Sequence, residues 1–316
     1  MATFGAVRDS VEQIDNASWL IGRKYILRHI QEEYAGEYLH RNSDGSCYTL
    51  SIAPTMLPVA SSIPETSHAR LIHDAGDASA VFSFGSALIL KVKLVGEGGM
   101  PQEHDILAFL AERQLSFKIP TVLFHAVESD RICLFETYMP GKSLNEAWWE
   151  MDTQEKEHIS TRIAHVCSEL KAFQHNFMTG LDYNWMDPLR EPEQRDYHTE
   201  SLQRHCEELG MDCSTFFLSH NDLGPTNILI HGNRITIIDW DLAGYFPLAW
   251  IRTKFAVCGA LDVERVSTAG IETDNAYRMQ VEQKLGRMGF PDVTGTYKKV
   301  EKTRRAEWIA RRPWLQ

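Results

Sequence analysis

The chain has 316 residues, which is too long for one small core and predicts a two-lobed unit or two domains. With 43% hydrophobic, 10% aromatic and 24% charged residues, its composition is that of an ordinary globular protein and argues against wholesale disorder. A formal net charge of −11 opposes binding to phosphate backbones and to anionic membrane surfaces, so neither nucleic acid nor a membrane is an expected partner.

The cysteines and the start of the chain predict a cytoplasmic protein. No C-x-x-C pair and no zinc-like Cys/His spacing occurs, so reduced thiols are expected. The opening MATFGAVRDSVEQIDN lacks the basic and apolar regions of a secretory signal. The most apolar stretch, AVFSFGSALILKVKLV, is interrupted by Lys91 and Lys93 before it reaches membrane-spanning length.

Residues 1–65 are predicted to form a helical extension. SWLIGRKYILRHIQEEYAGEYLH spaces its apolar residues at helical intervals and is followed by a turn-rich stretch. Residues 66–140 change to short β-branched or aromatic runs around one helix, PQEHDILAFLAERQL. Residues 141–316 are mainly helical, beginning with TQEKEHISTRIAHVCSELKAFQHNF. This order predicts an α+β fold with a small antiparallel-sheet N-lobe and a larger, mostly helical C-lobe.

The first turn of the N-lobe is a candidate phosphate-binding loop. HDAGDASAVFSFG places Gly76 and Ser79 between two strands, where small residues let backbone N–H groups approach a phosphate. There is no G-x-G-x-x-G, and an ordinary hairpin turn is the alternative. At the end of the lobe, FETYMPG is a candidate hinge in which backbone groups from Glu136 to Tyr138 pair with an adenine edge.

A lysine and a glutamate of the N-lobe have the pattern of a phosphate-binding pair. Lys91 ends the apolar run ALILK, and Glu103 follows in the first turn of the predicted helix; kinases use such a strand lysine, held by a helix carboxylate. Lys93 shares the face of Lys91, but the run before Lys91 is more similar to V-A-I-K. An outward-facing strand lysine and a carboxylate at a helix N-terminus are the alternatives.

The stretch SHNDLGPTNILI carries the most specific signal. It fits H-x-D-L-x-x-x-N through His220, Asp222 and Asn227, and the predicted hairpin ILIHGNRITIID delivers Asp239 at its end. Phosphoryl transfer needs a carboxylate to receive the acceptor's proton and hard oxygen ligands for Mg²⁺. We therefore expect Asp222 to be the base and Asn227 and Asp239 to be metal ligands, with His220 orienting the loop. A polar turn before a strand is the structural alternative.

Together these residues resemble the aminoglycoside phosphotransferase and choline kinase-like family, most closely its fungal-type members. FLSHNDLGPTNILIHGNRITIIDWDLAGYFPLAW, MPGKSLNEAW, ALILKVK and QEHDILAFL carry the resemblance, which covers about residues 70 to 255. It implies a protein-kinase-like two-lobed fold with ATP and Mg²⁺ as cofactors, and it implies for the motif residues the roles just given. Two positions depart from the family: Asn221 replaces the usual glycine, and Asp241 stands where glutamate is common.

The expected activity is Mg²⁺–ATP-dependent transfer of phosphate to a hydroxyl of a small molecule, with an amine as the less favoured acceptor. A cationic acceptor would suit the aromatic and acidic residues of the helical lobe, although core packing of the tryptophans and a solvated face for the acids are the favoured explanation of any single residue. These are Trp148, Trp149, Asp182, Tyr183, Trp185, Asp187, Glu191, Asp196 and Tyr197. The alternatives are a non-catalytic nucleotide-binding scaffold, a kinase acting on a protein, and adenylyl transfer. We expect a monomer or weak dimer.

Overall fold

The structure, a computed structural model, describes residues 5–32, 34–95, 103–128, 130–180, 198–268 and 270–311. The chain divides into two compact units. The first comprises Met1–Glu97 and Pro120–Pro140, and the second comprises Gly98–Ile119 and Gly141–Gln316. Among the described residues, no helix combines the length and the apolarity that crossing a membrane requires.

The first unit begins with an antiparallel sheet of six strands, in the order β4-β5-β3-β2-β1-β6. The strands are β1 (Val11–Asp15), β2 (Ser18–Ile21), β3 (Tyr25–Ile30), β4 (His40–Arg41), β5 (Cys47–Ile52) and β6 (Ser61–Ser62). The helix predicted within residues 1–65 is therefore wrong. Gly22 and Arg23 both have positive φ and close a hairpin that a helix cannot contain. Short apolar runs on either side of such a turn fit a helix and a strand equally well by spacing alone.

A second antiparallel sheet of the first unit confirms the predicted N-lobe hairpin. Its order is β10-β11-β9-β8-β7. Its strands are β7 (Ala69–Asp74), β8 (Ser79–Phe84), β9 (Leu88–Leu94), β10 (Val122–Glu128) and β11 (Arg131–Thr137). One apolar face of this sheet forms a common core with Trp19, Leu27 and Tyr48 of the six-stranded sheet. The residues of that face are Ala80, Phe82, Phe84, Leu88, Leu90, Val92, Cys133 and Phe135.

The opposite face of the five-stranded sheet carries the candidate lysine. Lys91 of β9 lies across from Val81 of β8 and Leu134 of β11, and residues directly opposite in adjacent strands share a face. Ser83 and Glu136 flank Ile89 in the same way. The sheet thus has one face covered by the six-stranded sheet and a second face that presents polar groups.

The second unit holds all the α-helices described. They are α1 (Glu103–Ala111), α2 (Leu144–Ala147), α3 (Thr153–Leu170), α4 (Thr199–Glu208), α5 (Leu248–Val257), α6 (Ala276–Arg287) and α7 (Thr294–Ala310). Capping boxes begin α2 at Ser143 and α3 at Asp152, which satisfies their first backbone N–H groups. The predicted α+β class is confirmed. Helix α1 groups with the second unit, whereas the sequence placed it in a lobe of residues 66–140.

Short strands connect these helices. They are β12 (Lys142–Ser143), β13 (Gln174–His175), β14 (Phe216–Ser219), β15 (Ile228–His231), β16 (Arg234–Ile237), β17 (Gly244–Pro247), β18 (Val263–Ser267) and β19 (Gly270–Asp274). They form sheets in the orders β12-β15-β16, β13-β14-β17 and β18-β19. The β15–β16 hairpin was predicted, and the β18–β19 hairpin lies where only helices were expected.

Candidate active site

The loop between β14 and β15 is built around a buried histidine. His220 is fully buried, and its Nδ1 accepts a hydrogen bond from the Asp222 N–H at 3.2 Å. The ring proton therefore lies on Nε2, which donates to the Ile238 carbonyl at 2.9 Å. The ring also contacts Trp240 edge-on, with centroids 4.6 Å apart. His220 thus fixes the backbone of the loop, as the sequence suggested.

Asp222 and Asn227 are in direct contact. The Asn227 amide nitrogen donates to Asp222 Oδ2 at 2.9 Å and to the Asp222 carbonyl at 2.9 Å. Since Nδ2 is committed to Asp222, Oδ1 is the atom of Asn227 that suits a cation. The predicted pairing of a carboxylate and an amide five residues apart is therefore realised, and the carboxylate is oriented by its partner.

The β15–β16 hairpin brings Asp239 to the same end as Asn227. Ile228 pairs with Ile237, and the Ile238 N–H donates to the Asn227 carbonyl at 3.0 Å. Asp239 follows with φ 62° and ψ 68°, a left-handed conformation that is costly for a residue other than glycine and is common at functional sites. Asp241, two residues further on, is exposed.

Glu103 supports the residue after Asp239. Its carboxylate is buried, and Oε1 accepts a hydrogen bond from the Trp240 N–H at 2.8 Å. Helix α1 therefore anchors the chain just past Asp239. Lys91, the predicted partner of Glu103, belongs to the first unit, so that pairing stays a prediction.

The donor set fits a magnesium ion. The Asn227 amide oxygen and the Asp239 carboxylate are hard oxygen ligands, and Mg²⁺ in kinases takes one or two protein ligands together with phosphate oxygens and water. Within the described ranges there is no group of three or more His, Cys, Asp or Glu side chains that could hold a metal. The described residues therefore contain no metal site built from such side chains alone. A site completed by nucleotide phosphates and water needs only Asn227 and Asp239 from the protein.

In the first unit, Lys91 forms an ion pair that the sequence did not predict. Its Nζ lies 3.4 Å from Glu136 Oε1, and the two side chains are 14% and 3% exposed. Glu136 was expected to contribute only backbone groups. The pair forms across β9 and β11, where Glu136 lies diagonal to Lys91, and it holds the ammonium group on the polar face of the sheet.

The candidate phosphate loop is a tight turn with its own hydrogen bonds. Gly76 has φ +70°, a conformation that glycine adopts without strain. Its N–H donates to Asp74 Oδ1 at 2.9 Å, and the Ser79 carbonyl accepts from the Ala75 N–H at 2.9 Å. The Gly76 amide predicted to meet a phosphate is therefore engaged within the turn.

A cavity of about 650 Å³ lies in the first unit beside the candidate hinge. Its lining is Thr66, Ser67, His68, Arg70, Ile72, Ser83, Gly85 and Tyr138. The Tyr138 N–H donates to the Ala87 carbonyl at 2.9 Å, so this backbone donor of the candidate hinge is engaged within the first unit. Arg70 and His68 were missed, and only the register of Arg70 with Ser83 places that cation at the cavity.

Of the nine residues considered for binding a cationic acceptor, two are described by the structure and seven are not. Trp148 is fully buried, and its Nε1 donates to Asp274 at 2.8 Å, so it belongs to the core. Trp149 lies beneath the Arg265 guanidinium at 4.4 Å. The other seven candidates, Asp182, Tyr183, Trp185, Asp187, Glu191, Asp196 and Tyr197, lie outside the described residues.

Comparisons with known proteins complete the description of the site. A model described as the phosphotransferase enzyme family matches residues 71–250, more than half of the chain. Comparison with curated protein sequences gives no match.

Solved structures with some likeness to this chain include two aminoglycoside phosphotransferases. The streptomycin–ATP complex of APH(2'')-IIa is 18% identical and aligns over 75% of this chain and 82% of its own, with a TM-score of 0.48. APH(3'')-Id from Streptomyces rimosus is 16% identical over 72% of this chain and 90% of its own, with a TM-score of 0.46. A choline/ethanolamine kinase family protein from Mesorhizobium loti is 14% identical over 74% and 75%, with a TM-score of 0.44.

Proposed function

The chain belongs to the phosphotransferase enzyme family, and on that premise we propose that it transfers the γ-phosphate of Mg²⁺–ATP to a hydroxyl group of a small molecule, with Asp222 as the catalytic base. One observation carries the proposal: Asn227 Nδ2 fixes Asp222 Oδ2 at 2.9 Å, and the β15–β16 register brings Asp239 to the same end of the hairpin. Phosphoryl transfer from Mg²⁺–ATP requires from the protein a catalytic base and hard-oxygen ligands for the metal ion.

Bound Mg²⁺–ATP supplies the phosphoryl group, and its cation neutralises charge that develops on the phosphate oxygens. Asn227 Oδ1 and the Asp239 carboxylate would hold the ion. Asp222 orients the acceptor hydroxyl and receives its proton, and its carboxylate is held in position for this role by Asn227. His220 and Glu103 act indirectly, because they fix the backbone of Asp222 and of Trp240.

In the first unit, Lys91 would contact the nucleotide phosphates. Its ion pair with the buried Glu136 restrains a long side chain that would otherwise sample many rotamers, so less conformational entropy is lost when phosphate binds. An ammonium group presented in this way serves as a point charge for phosphate oxygens. The cavity beside Tyr138 offers a polar and partly aromatic lining for the nucleoside.

The test separates base from metal ligand. Asp222→Asn is close to isosteric, so we expect Mg²⁺–ATP affinity to be retained while turnover falls by about 10²–10⁴-fold, the range for loss of a general base. Asp239→Ala should instead weaken Mg²⁺–ATP binding. Isothermal titration calorimetry measures the affinity, and ADP release with a panel of hydroxylated metabolites measures turnover.

Asp241→Asn is the matched control, because it removes an exposed carboxylate two residues from Asp239 and should leave both quantities unchanged. Normal turnover in Asp222→Asn would remove Asp222 from the role of base. Unchanged affinity in Asp239→Ala would remove Asp239 from the metal site. Mg²⁺-dependent binding by a wild type that turns over no acceptor would favour the non-catalytic nucleotide-binding alternative.

A further inference from the structure

The residue before the proposed base has a backbone conformation that needs support. Asn221 has φ 62° and is 5% exposed. Asparagine tolerates the left-handed region better than most residues other than glycine, but the conformation still has a cost. Because Asn221 immediately precedes Asp222, its backbone angles determine the direction in which the Asp222 side chain leaves the loop.

Helix α5 binds both acceptor groups of Asn221. The Trp250 indole Nε1 donates to Asn221 Oδ1 at 3.1 Å, and the Lys254 ammonium donates to the Asn221 carbonyl. Trp250 and Lys254 are four residues apart on one helix, so they project from the same face. Both are buried, at 0% and 5% exposure. A buried lysine is uncommon unless polar groups compensate its charge, and the Asn221 carbonyl is one such group for Lys254.

The neighbouring carbonyl groups are held in the same manner. The Asp222 carbonyl accepts from Asn227 Nδ2 at 2.9 Å, and the Leu223 carbonyl accepts from the Tyr277 hydroxyl at 2.8 Å. Burial raises the pKa of Tyr277 well above its usual value, so the hydroxyl remains a donor. Three consecutive carbonyls of the loop are therefore fixed by side chains, in the absence of a helix or strand that would otherwise satisfy them.

A small cavity lies beneath the loop. Its volume is about 10 Å³, close to the volume that one water molecule needs. Its lining is Ser219, Asn221, Leu223, Ile251, Lys254, Phe255 and Leu261. The cavity marks a gap in the packing beside Lys254, so a shorter side chain at this position would enlarge that gap.

We infer that Trp250 and Lys254 are positioning residues: from α5 they hold Asn221 in its left-handed conformation and thereby aim Asp222 at the acceptor. The catalytic part of this inference rests on the proposed function, because it concerns what Asp222 does. The hold on the loop is a property of the fold that can be measured without turnover. Neither residue contacts the reacting atoms, and both act through Asn221.

The first test compares two substitutions on one helix. Lys254→Met keeps side-chain length and removes the donor, so we expect kcat to fall by about 10- to 100-fold, the effect of a displacement on the order of 1 Å at a catalytic group. The calorimetric Kd for Mg²⁺–ATP should stay within about twofold, because the substitution changes how Asp222 is aimed and not the groups proposed to bind the nucleotide. Thr253→Val is the matched control: Thr253 is fully buried on α5, and its Oγ1 has no hydrogen-bond partner among the described residues.

A second set of variants checks that the effect passes through Asn221. Asn221→Gly retains easy access to positive φ, whereas Asn221→Ala does not, so kcat should fall further in the alanine variant. The double variant Asn221→Ala with Lys254→Met should lose little more kcat than the worse single variant, because both changes act on the same interaction between Lys254 and Asn221. Fully additive losses would show that Lys254 acts elsewhere and would overturn the inference.

Amide hydrogen exchange of residues 219–227 without nucleotide separates this inference from the proposed function. We expect faster exchange in Lys254→Met than in the wild type and Thr253→Val. Unchanged exchange would mean that Lys254 does not hold the loop, and the inference would be wrong. Faster exchange with unaltered kcat, or with kcat and Mg²⁺–ATP affinity lost in parallel, would reject a positioning role. Faster exchange in a chain whose wild type has no turnover would reject the proposed function and leave the hold on the loop standing.

Discussion

Asn221 and Asp239 share a left-handed backbone conformation, and each determines where a side chain of the candidate site points. The sequence predicted that Asp222, Asn227 and Asp239 would meet, because motif spacing and a hairpin are local properties. It did not predict the backbone angles, although the replacement of a usual glycine by Asn221 was a signal: asparagine is the residue that best substitutes for glycine at positive φ.

The partner of Lys91 could not be predicted from sequence. Glu136 lies 45 positions away, and its carboxylate reaches Lys91 only because β9 and β11 pair with Lys91 opposite Leu134. A register shifted by one residue would turn Glu136 to the other face. Sequence spacing therefore identified the cation but not the group that restrains it.

Among the cysteines, Cys213 is predicted to react first with alkylating reagents. A hydrogen bond from the Cys206 side chain lowers the pKa of Cys213, whereas burial raises the pKa of Cys133 to about 11 and that of Cys167 to about 12. Thiolate is the reactive form, and Cys213 is partly exposed. Iodoacetamide at pH 8 followed by peptide mass spectrometry should find Cys213 labelled earliest.

Cys206→Ala is the control for this cause, since it removes the donor and should slow the labelling of Cys213. Equal labelling rates at Cys213 in the two proteins would contradict the role given to Cys206.

The β18–β19 hairpin is the element that the sequence did not reveal. Val266 and Ile271 lie opposite each other and are 82% and 68% exposed, so the strands lack the buried face that makes a strand pattern recognisable. A lone two-stranded hairpin is marginal in water. Here Asn145 stabilises it, because its amide pairs with both the N–H and the carbonyl of Glu264 at 2.8 Å each.

We predict that Asn145→Ala loosens this hairpin without unfolding the chain. Loss of two hydrogen bonds should reduce local stability by about 1–3 kcal/mol, and trypsin should then cleave after Arg265 faster than in the wild type. Asn145→Asp keeps the acceptor for the Glu264 N–H and loses the donor to the Glu264 carbonyl. Its cleavage rate should therefore lie between those of the wild type and Asn145→Ala. Identical rates in all three proteins would mean that Asn145 does not support the hairpin.

On the scale of the whole molecule, a sheet-rich segment at residues 66–140 followed by a mainly helical part was predictable, because most strands and long helices in these two parts show their type in local residue spacing. Two assignments were not. The described residues between 5 and 65 form a sheet that packs on the N-lobe sheet, and α1 joins the second unit. Both depend on contacts between residues far apart in sequence, which composition and periodicity do not encode.

The two-sheet unit should lose stability in mild acid. Burial, and secondarily His68, lowers the pKa of His29, and burial lowers the pKa of His40 and His68. Since the unfolded state then binds more protons, the stability contributed by these groups is full above the ordinary value of 6.5 and is lost as pH falls from there toward the lower folded values. The midpoint of thermal unfolding should drop between pH 7 and pH 5.

His29→Phe tests this cause. The ring of His29 stacks on Tyr48 at 4.6 Å, and its Nε2 has no hydrogen-bond partner among the residues described, so phenylalanine can keep the stacking without the titrating group. The drop in unfolding temperature from pH 7 to pH 5 should become smaller. The exposed His231→Phe should keep the wild-type drop, and a wild-type drop in His29→Phe as well would rule out His29 as its source.

The six-stranded sheet also bears on how this sequence can evolve. The family match begins at residue 71, and the strands before it contribute Trp19, Leu27 and Tyr48 to a core but none of the residues assigned here to the chemistry. Cores tolerate many apolar combinations of similar total volume, whereas a base or a metal ligand tolerates almost none. Purifying selection on the first 65 residues should therefore preserve a pattern and a volume, so that this layer can drift in identity while the residues assigned to the chemistry stay unchanged.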